Sequence, residues 1–92
     1  MTREDIRAIV VEELKRVAPE LDPAGLDPDA LVRDQVEMDS LDLLNFLTAI
    51  HRRLGVDVPE RDYGELATLA RTEAYLAGRL AAVRPGAKGD PS

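Results

Sequence analysis

Apolar residues recur every three or four positions in three separate stretches, which predicts three amphipathic helices. The first stretch covers residues 3–17, the second covers residues 40–54, and the third follows Thr68. The stripes predicted to be buried are Ile6, Ile9, Val10, Leu14 and Val17, then Leu43, Leu47, Ile50 and Leu54, then Leu69, Thr72, Leu76, Leu80 and Val83.

Capping residues frame these stretches. Thr2 is predicted to cap the first helix, with Asp5 in a capping-box position. Either Asp39 or Ser40 caps the second helix, and Gly55 follows its last turn. These residues therefore predict where the helices begin and end, which periodicity alone does not.

A long connection, residues 19–38, joins the first two helices. Its prolines and glycine break any continuous helix, whereas its recurring Leu and Val residues predict that it is pinned across the helix ends. A single helical turn is predicted at residues 29–32, and a short helix at residues 59–66. The sequence therefore predicts an all-α four-helix bundle of three long helices plus one short helix, with a long first loop.

The 92 residues are long enough for one small domain, predicted to span residues 1–84, with residues 85–92 as a flexible tail. The absence of a long apolar run and of a signal-peptide pattern predicts a free-standing cytoplasmic protein without membrane insertion, and we expect a monomer. Because the chain has no cysteine, a disulfide framework, a Cys-ligated zinc site and a thiol nucleophile are excluded.

Charge is concentrated in one segment. Residues 19–42 hold eight acidic residues and one basic residue, Arg33, for a net charge of −7, whereas the rest of the chain sums to +1 and the whole chain to −6. Such a patch disfavours nucleic acid and favours basic protein partners, although acidic loops also serve solubility alone. The acids do not fit a calcium-binding loop, because apolar residues fall at its ligand positions, and no metal site is predicted.

Enzymatic interpretations are weak. The only histidine, His51, lies about three helical turns from Ser40, so the two cannot form one catalytic centre. The acids Glu37, Asp39 and Asp42 fit an exposed helix start better than a pair of acid/base carboxylates. We therefore predict a protein that is not an enzyme.

Ser40 is the only serine besides Ser92, and it opens the most regular helix. By itself, an Asp-Ser pair before an apolar helix is usually a plain cap. Here the chain resembles the acyl carrier protein family over residues 2–83. The resemblance is carried by Asp39-Ser40-Leu41 followed by Leu44, Leu47 and Ile50, by Leu54-Gly55-Val56-Asp57-Val58-Pro59, and by Thr68-Leu69 and Tyr75-Leu76.

The resemblance implies that a phosphopantetheinyl transferase, using coenzyme A and Mg²⁺, joins 4′-phosphopantetheine to the Ser40 Oγ. The arm then carries acyl groups as thioesters. The implied recipients are acyl-transferring, ligating or condensing enzymes of fatty acid, specialised lipid or polyketide synthesis, which have basic docking patches. The surface expected to meet these partners comprises Glu37, Met38, Asp39, Leu41, Asp42 and Leu44.

Some positions depart from the family pattern. Glu37 stands where the family usually has glycine, Asn45, Thr48 and Arg52 replace acids common in housekeeping carriers, and Thr72 replaces an apolar core residue. These departures favour a specialised carrier. An aminoacyl carrier and an unmodified helical adaptor remain alternatives. Because the core is aliphatic, we expect that it can open and enclose an acyl chain.

Overall fold

The computed structural model describes residues 1–83, so the predicted tail at residues 85–92 lies outside the described part of the chain. Its helices are α1 (Arg3–Val17), α2 (Val32–Gln35), α3 (Ser40–Leu54) and α4 (Leu69–Val83). Two 3-10 segments, Pro23–Gly25 and Glu60–Leu66, lie in the connections. The all-α fold with three long helices and a long first loop is confirmed.

Local hydrogen bonds fix where α1 begins, as the sequence predicts. The Asp5 amide donates to Thr2 Oγ1 at 3.1 Å, and the Thr2 amide donates to Asp5 Oδ2 at 3.0 Å. The backbone hydrogen bond from Thr2 is the main cause that lowers the pKa of Asp5, followed by the side-chain hydrogen bond. Both partners lie within one turn, so the cap depends on no distant part of the fold.

Gly55 ends α3 in the left-handed conformation, with φ of 72°. We expect Gly55→Ala to lower the free energy of unfolding by about 1 kcal/mol, measured by chemical denaturation, because a side chain disfavours this conformation. A Cβ on Gly55 meets no atom within 4 Å, so the loss is conformational rather than steric.

Gly78 provides the matched control, because it lies inside α4 and a Cβ there also meets nothing within 4 Å. Gly78→Ala should raise the free energy of unfolding by roughly 0.5–1 kcal/mol, since alanine favours a helix interior. Equal effects of the two substitutions would contradict the left-handed assignment of Gly55.

The core lies between the three long helices, with α1 in contact with both α3 and α4. The most deeply buried side chains are Val10, Ile50 and Leu76, one from each helix. Most of each predicted stripe is buried, but Ile9, Val17, Leu43 and Leu80 are only half-buried. Thr72 is buried, and its hydroxyl donates to the Thr68 carbonyl at 2.8 Å, so this polar group is satisfied within its own helix.

The long connection is pinned as predicted, but its helical turn was wrongly placed. The turn α2 begins at Val32. At the predicted start, the Asp29 amide donates to Asp27 Oδ1 at 2.9 Å and forms a side-chain turn instead. The Val32 amide donates to the Ala67 carbonyl at 2.8 Å, which ties the connection to the chain before α4. The helix predicted at residues 59–66 is a 3-10 helix that starts at Glu60, after Pro59.

Two carboxylates inside the helix interfaces were not predicted. Glu13 on α1 and Glu73 on α4 are each 3 % exposed. Arg53 reaches Glu13 at 2.9 Å across the α1–α3 interface, and Arg7 pairs with Glu73 across the α1–α4 interface. The hydrogen bond to Glu73 raises the pKa of Arg7. These ion pairs join α1 to both of its neighbours.

Candidate functional site

Asp39 caps α3, which decides between the two predicted caps. The Asp42 amide donates to Asp39 Oδ1 at 2.8 Å, and the Asp39 amide donates to Asp42 Oδ2 at 3.3 Å. This reciprocal pair satisfies the amides that usually recruit a capping hydroxyl. Ser40 is therefore the first residue of the helix rather than its cap, and the fold does not depend on its hydroxyl.

The Ser40 side chain is exposed, and within residues 1–83 its hydroxyl has no hydrogen-bond partner. Its backbone is held in place by the capping box on both sides. The site thus combines a backbone held by the capping box with a side-chain hydroxyl that makes no hydrogen bond to the described residues.

An open groove of about 550 Å³ lies beside Ser40. The connection and α2 form one wall, and α3 and the 3-10 helix form the other. A smaller cavity of about 30 Å³ lies beneath it and reaches α1 and α4. Both spaces are lined by Val32, Met38, Leu43 and Leu66. These four apolar side chains therefore lie between the groove beside Ser40 and the core.

A polar network holds the 3-10 wall of the groove. The Tyr75 hydroxyl donates to Asp62 Oδ2 at 2.8 Å, and Arg79 Nη1 donates to the Tyr75 hydroxyl oxygen at 2.7 Å. Burial is the first cause that raises the pKa of Tyr75, and the bond to Asp62 is the second. The network fixes the segment that carries Tyr63 and Leu66, two groove residues that helical periodicity did not reveal.

The six predicted partner-surface residues lie together around the start of α3, but they do not all face solvent. Leu41 and Leu44 are 64 % and 56 % exposed, which is unusual for large apolar side chains. Glu37 and Asp39 are also exposed, and Asp42 is half-buried. Met38 packs against the core and lines the groove instead.

The histidine and the acidic side chains of the described residues are spread apart rather than gathered beside Ser40 in a metal-binding cluster. His51 is exposed, and along α3 it lies about 16 Å from Ser40. Residues 1–83 contain no group of three or more His, Cys, Asp or Glu side chains placed to hold a metal ion. In the same part of the chain, every helix is too short or too polar to cross a bilayer.

Comparisons with known proteins agree with this geometry. A family model described as "Phosphopantetheine attachment site" matches residues 4–76. An acyl carrier protein of Thermosynechococcus vestitus is 27 % identical over 79 residues, which cover 86 % of this chain and 91 % of that protein.

Two further relatives have similar identity. An acyl carrier protein of Helicobacter hepaticus is 24 % identical, over 82 % of this chain and 92 % of that protein. The meromycolate extension acyl carrier protein of Mycobacterium bovis is 26 % identical, over 83 % of this chain and 65 % of that protein. The match to the family model covers most of the chain and includes α1, α3 and the groove. The chain therefore belongs to the acyl carrier protein family, a family of carriers rather than catalysts, and its covalent prosthetic group is 4′-phosphopantetheine.

Proposed function

We propose that Ser40 is the attachment residue and that the chain carries acyl groups for enzymes of fatty acid, specialised lipid or polyketide synthesis. The observation that carries this proposal is the exposed Ser40 hydroxyl at the first residue of α3, which makes no hydrogen bond within residues 1–83 and lies beside a largely apolar groove. The site fits the prosthetic group, because the side chain of Ser40 is exposed and the cap of α3 is made by Asp39 and Asp42 instead.

Attachment requires a phosphopantetheinyl transferase, which joins the phosphate to Ser40 Oγ and releases the adenosine bisphosphate part of coenzyme A. When attached, the group supplies the thiol that a chain without cysteine lacks, and this thiol holds an acyl group as a thioester. The chain contributes a rigid anchor and a local field. Glu37, Asp39 and Asp42 repel a phosphate and discourage the arm from lying along α3.

The groove favours an acyl cargo over an aminoacyl cargo. Its shared lining with the inner cavity is entirely apolar, so it can receive an alkyl chain and remove it from water. A charged ammonium group is poorly suited to that lining, because burying an unpaired charge is costly. The inner cavity of about 30 Å³ is small, so an acyl chain that reaches it has to displace Leu66 or Met38.

The acidic start of α3, together with Leu41 and Leu44, is the proposed contact for partner enzymes. Basic side chains on a partner meet Glu37, Asp39 and Asp42, while an apolar depression receives the two leucines. This arrangement brings the partner to the residue that holds the cargo.

Intact-mass measurement tests the carrier function. Incubation with coenzyme A, Mg²⁺ and a broad-specificity transferase should add one phosphopantetheinyl increment, and an acyl-loading enzyme should then add an acyl group. Absence of the first increment would support the unmodified adaptor. A loaded octanoyl chain should shift the NMR resonances of Met38, Leu43 and Leu66 relative to the unloaded form, whereas a loaded glycyl group should leave them unchanged.

A further inference from the structure

One exposed stripe runs almost the whole length of α3. Leu41 is followed on the same side by Asn45, Thr48 and Arg52, spaced three or four residues apart, and Leu44 lies beside them. All five residues are exposed. At 1.5 Å per residue, the stripe is about 16 Å long, so one partner protein can cover it completely.

Charge changes sign along this stripe. Its first end lies beside Glu37, Asp39 and Asp42, and its last end carries Arg52. Among residues 1–83, Arg52 has no carboxylate partner within 4.0 Å, whereas its neighbour Arg53 pairs with two glutamates of α1. Arg52 is therefore a cation available to a partner, whereas Arg53 is already engaged.

A second cation, Arg16 of α1, lies near the Arg52 end of the stripe. A groove of about 350 Å³ between α1 and α3 is lined by Arg16 on one side and by Asn45, Thr48 and Arg52 on the other. Arg16 contacts Glu13 at 3.3 Å, but its side chain remains 75 % exposed, and Arg53 already pairs with Glu13. The two arginines that line the groove, Arg16 and Arg52, therefore carry more positive charge than the one buried carboxylate, that of Glu13, neutralises.

We propose that α3 is a bipolar docking surface, whose partner carries basic residues opposite Glu37, Asp39 and Asp42 and acidic residues opposite Arg52 and Arg16. The surface selects among partner proteins by repulsion as well as by attraction. A partner whose docking face is uniformly basic would place a positive charge opposite Arg52 and would therefore bind less tightly. This inference rests on the proposed function in that such a partner receives cargo from Ser40.

The test measures binding of the unmodified full chain to a condensing enzyme of fatty acid synthesis whose docking face is rich in Lys and Arg. Arg52→Glu should strengthen that binding about fivefold, and Arg52→Gln should strengthen it less, since an exposed charge pair contributes up to about 1 kcal/mol. The gain should shrink as salt is raised, because screening shortens the range of exposed charges to about 8 Å at physiological ionic strength.

Arg61→Glu is the matched control. It makes the same change of charge at an exposed residue of the 3-10 helix, which is not part of the α3 stripe, and should alter binding less than twofold. Equal gains for Arg52→Glu and Arg61→Glu would show an effect of net charge alone and overturn the proposal, as would no gain for Arg52→Glu.

Single reversals of Lys or Arg to Glu on the enzyme's docking face complete the test. At least one reversal should strengthen binding of the natural chain and weaken binding of Arg52→Glu. If none does so, the bipolar surface is refuted. The binding measurements use the chain without its prosthetic group, so they test the bipolar surface independently of the proposed function. A failure of the proposed function would instead appear as a missing mass increment.

Discussion

Ser40→Ala should abolish the phosphopantetheinyl mass increment while leaving the fold unchanged. The oxygen that accepts the phosphate is removed, but the capping box of Asp39 and Asp42 remains. The Ser40 hydroxyl makes no hydrogen bond within the described residues, and alanine favours a helix. We therefore expect the free energy of unfolding to change by less than about 0.5 kcal/mol. Intact-mass spectrometry and chemical denaturation measure the two quantities on one sample.

Thr48→Ala is the matched control for the loss of a hydroxyl. Thr48 is exposed on the same helix, two turns further along, and its hydroxyl donates to the Leu44 carbonyl at 2.9 Å. This variant should gain the full increment. An increment that persists in Ser40→Ala would place the attachment elsewhere.

Arg7→Ala should produce a large loss of stability, because it leaves a buried carboxylate almost without a partner. Glu73 is 3 % exposed, and after the substitution its remaining cation is Arg3, at 3.8 Å. Loss of one partner of a buried ion pair leaves an incompletely compensated charge, and we expect the free energy of unfolding to fall by about 2–3 kcal/mol. For a domain of this size, the melting temperature should fall by roughly 10–20 °C.

The exposed pair of Arg71 and Glu65 provides the control for this prediction. The two side chains are 54 % and 51 % exposed, with 3.4 Å between Nη2 and Oε1. Arg71→Ala should change the free energy of unfolding by less than about 1 kcal/mol, because water solvates the glutamate that remains. If Arg7→Ala is no more destabilising than Arg71→Ala, then the Glu73 side chain reaches water in the folded protein and the prediction is wrong.

The double substitution Arg7→Leu with Glu73→Leu separates the ion pair from packing. Removing both charges removes the desolvation penalty of each, so the double variant should be more stable than Arg7→Ala. A double variant that is less stable than Arg7→Ala would indicate that the pair itself, rather than the unpaired carboxylate, dominates.

Helix ends and buried stripes could be predicted from the sequence because their causes are local. The capping box at Thr2, the cap at Asp39 and the left-handed Gly55 each depend on residues within one turn. The stripes follow from the helical repeat, which any chain obeys. The position of Ser40 at the start of a long helix was therefore fixed by neighbouring residues alone.

Partners that lie far apart in the sequence decided the remaining features. The shift of α2 to Val32 accompanies its bond to Ala67, and the burial of Glu73 depends on Arg7, 66 residues away. Neither partner follows from periodicity, and a glutamate on a helix is usually expected to face solvent. Sequence reasoning consequently placed one turn wrongly and missed both buried carboxylates.

The features of the site also divide into those that follow from neighbouring residues and those that depend on tertiary packing. The sequence by itself determined the Asp39-Ser40-Leu41 motif, its place at a helix start and the acidity around it. Only the tertiary structure showed that the Ser40 hydroxyl has no hydrogen-bond partner in the described part of the chain, that Met38 packs against the core, and that a groove opens beside them. The physical reason is that capping is set within four residues, whereas the groove exists only where the connection, α3 and the 3-10 helix pack together.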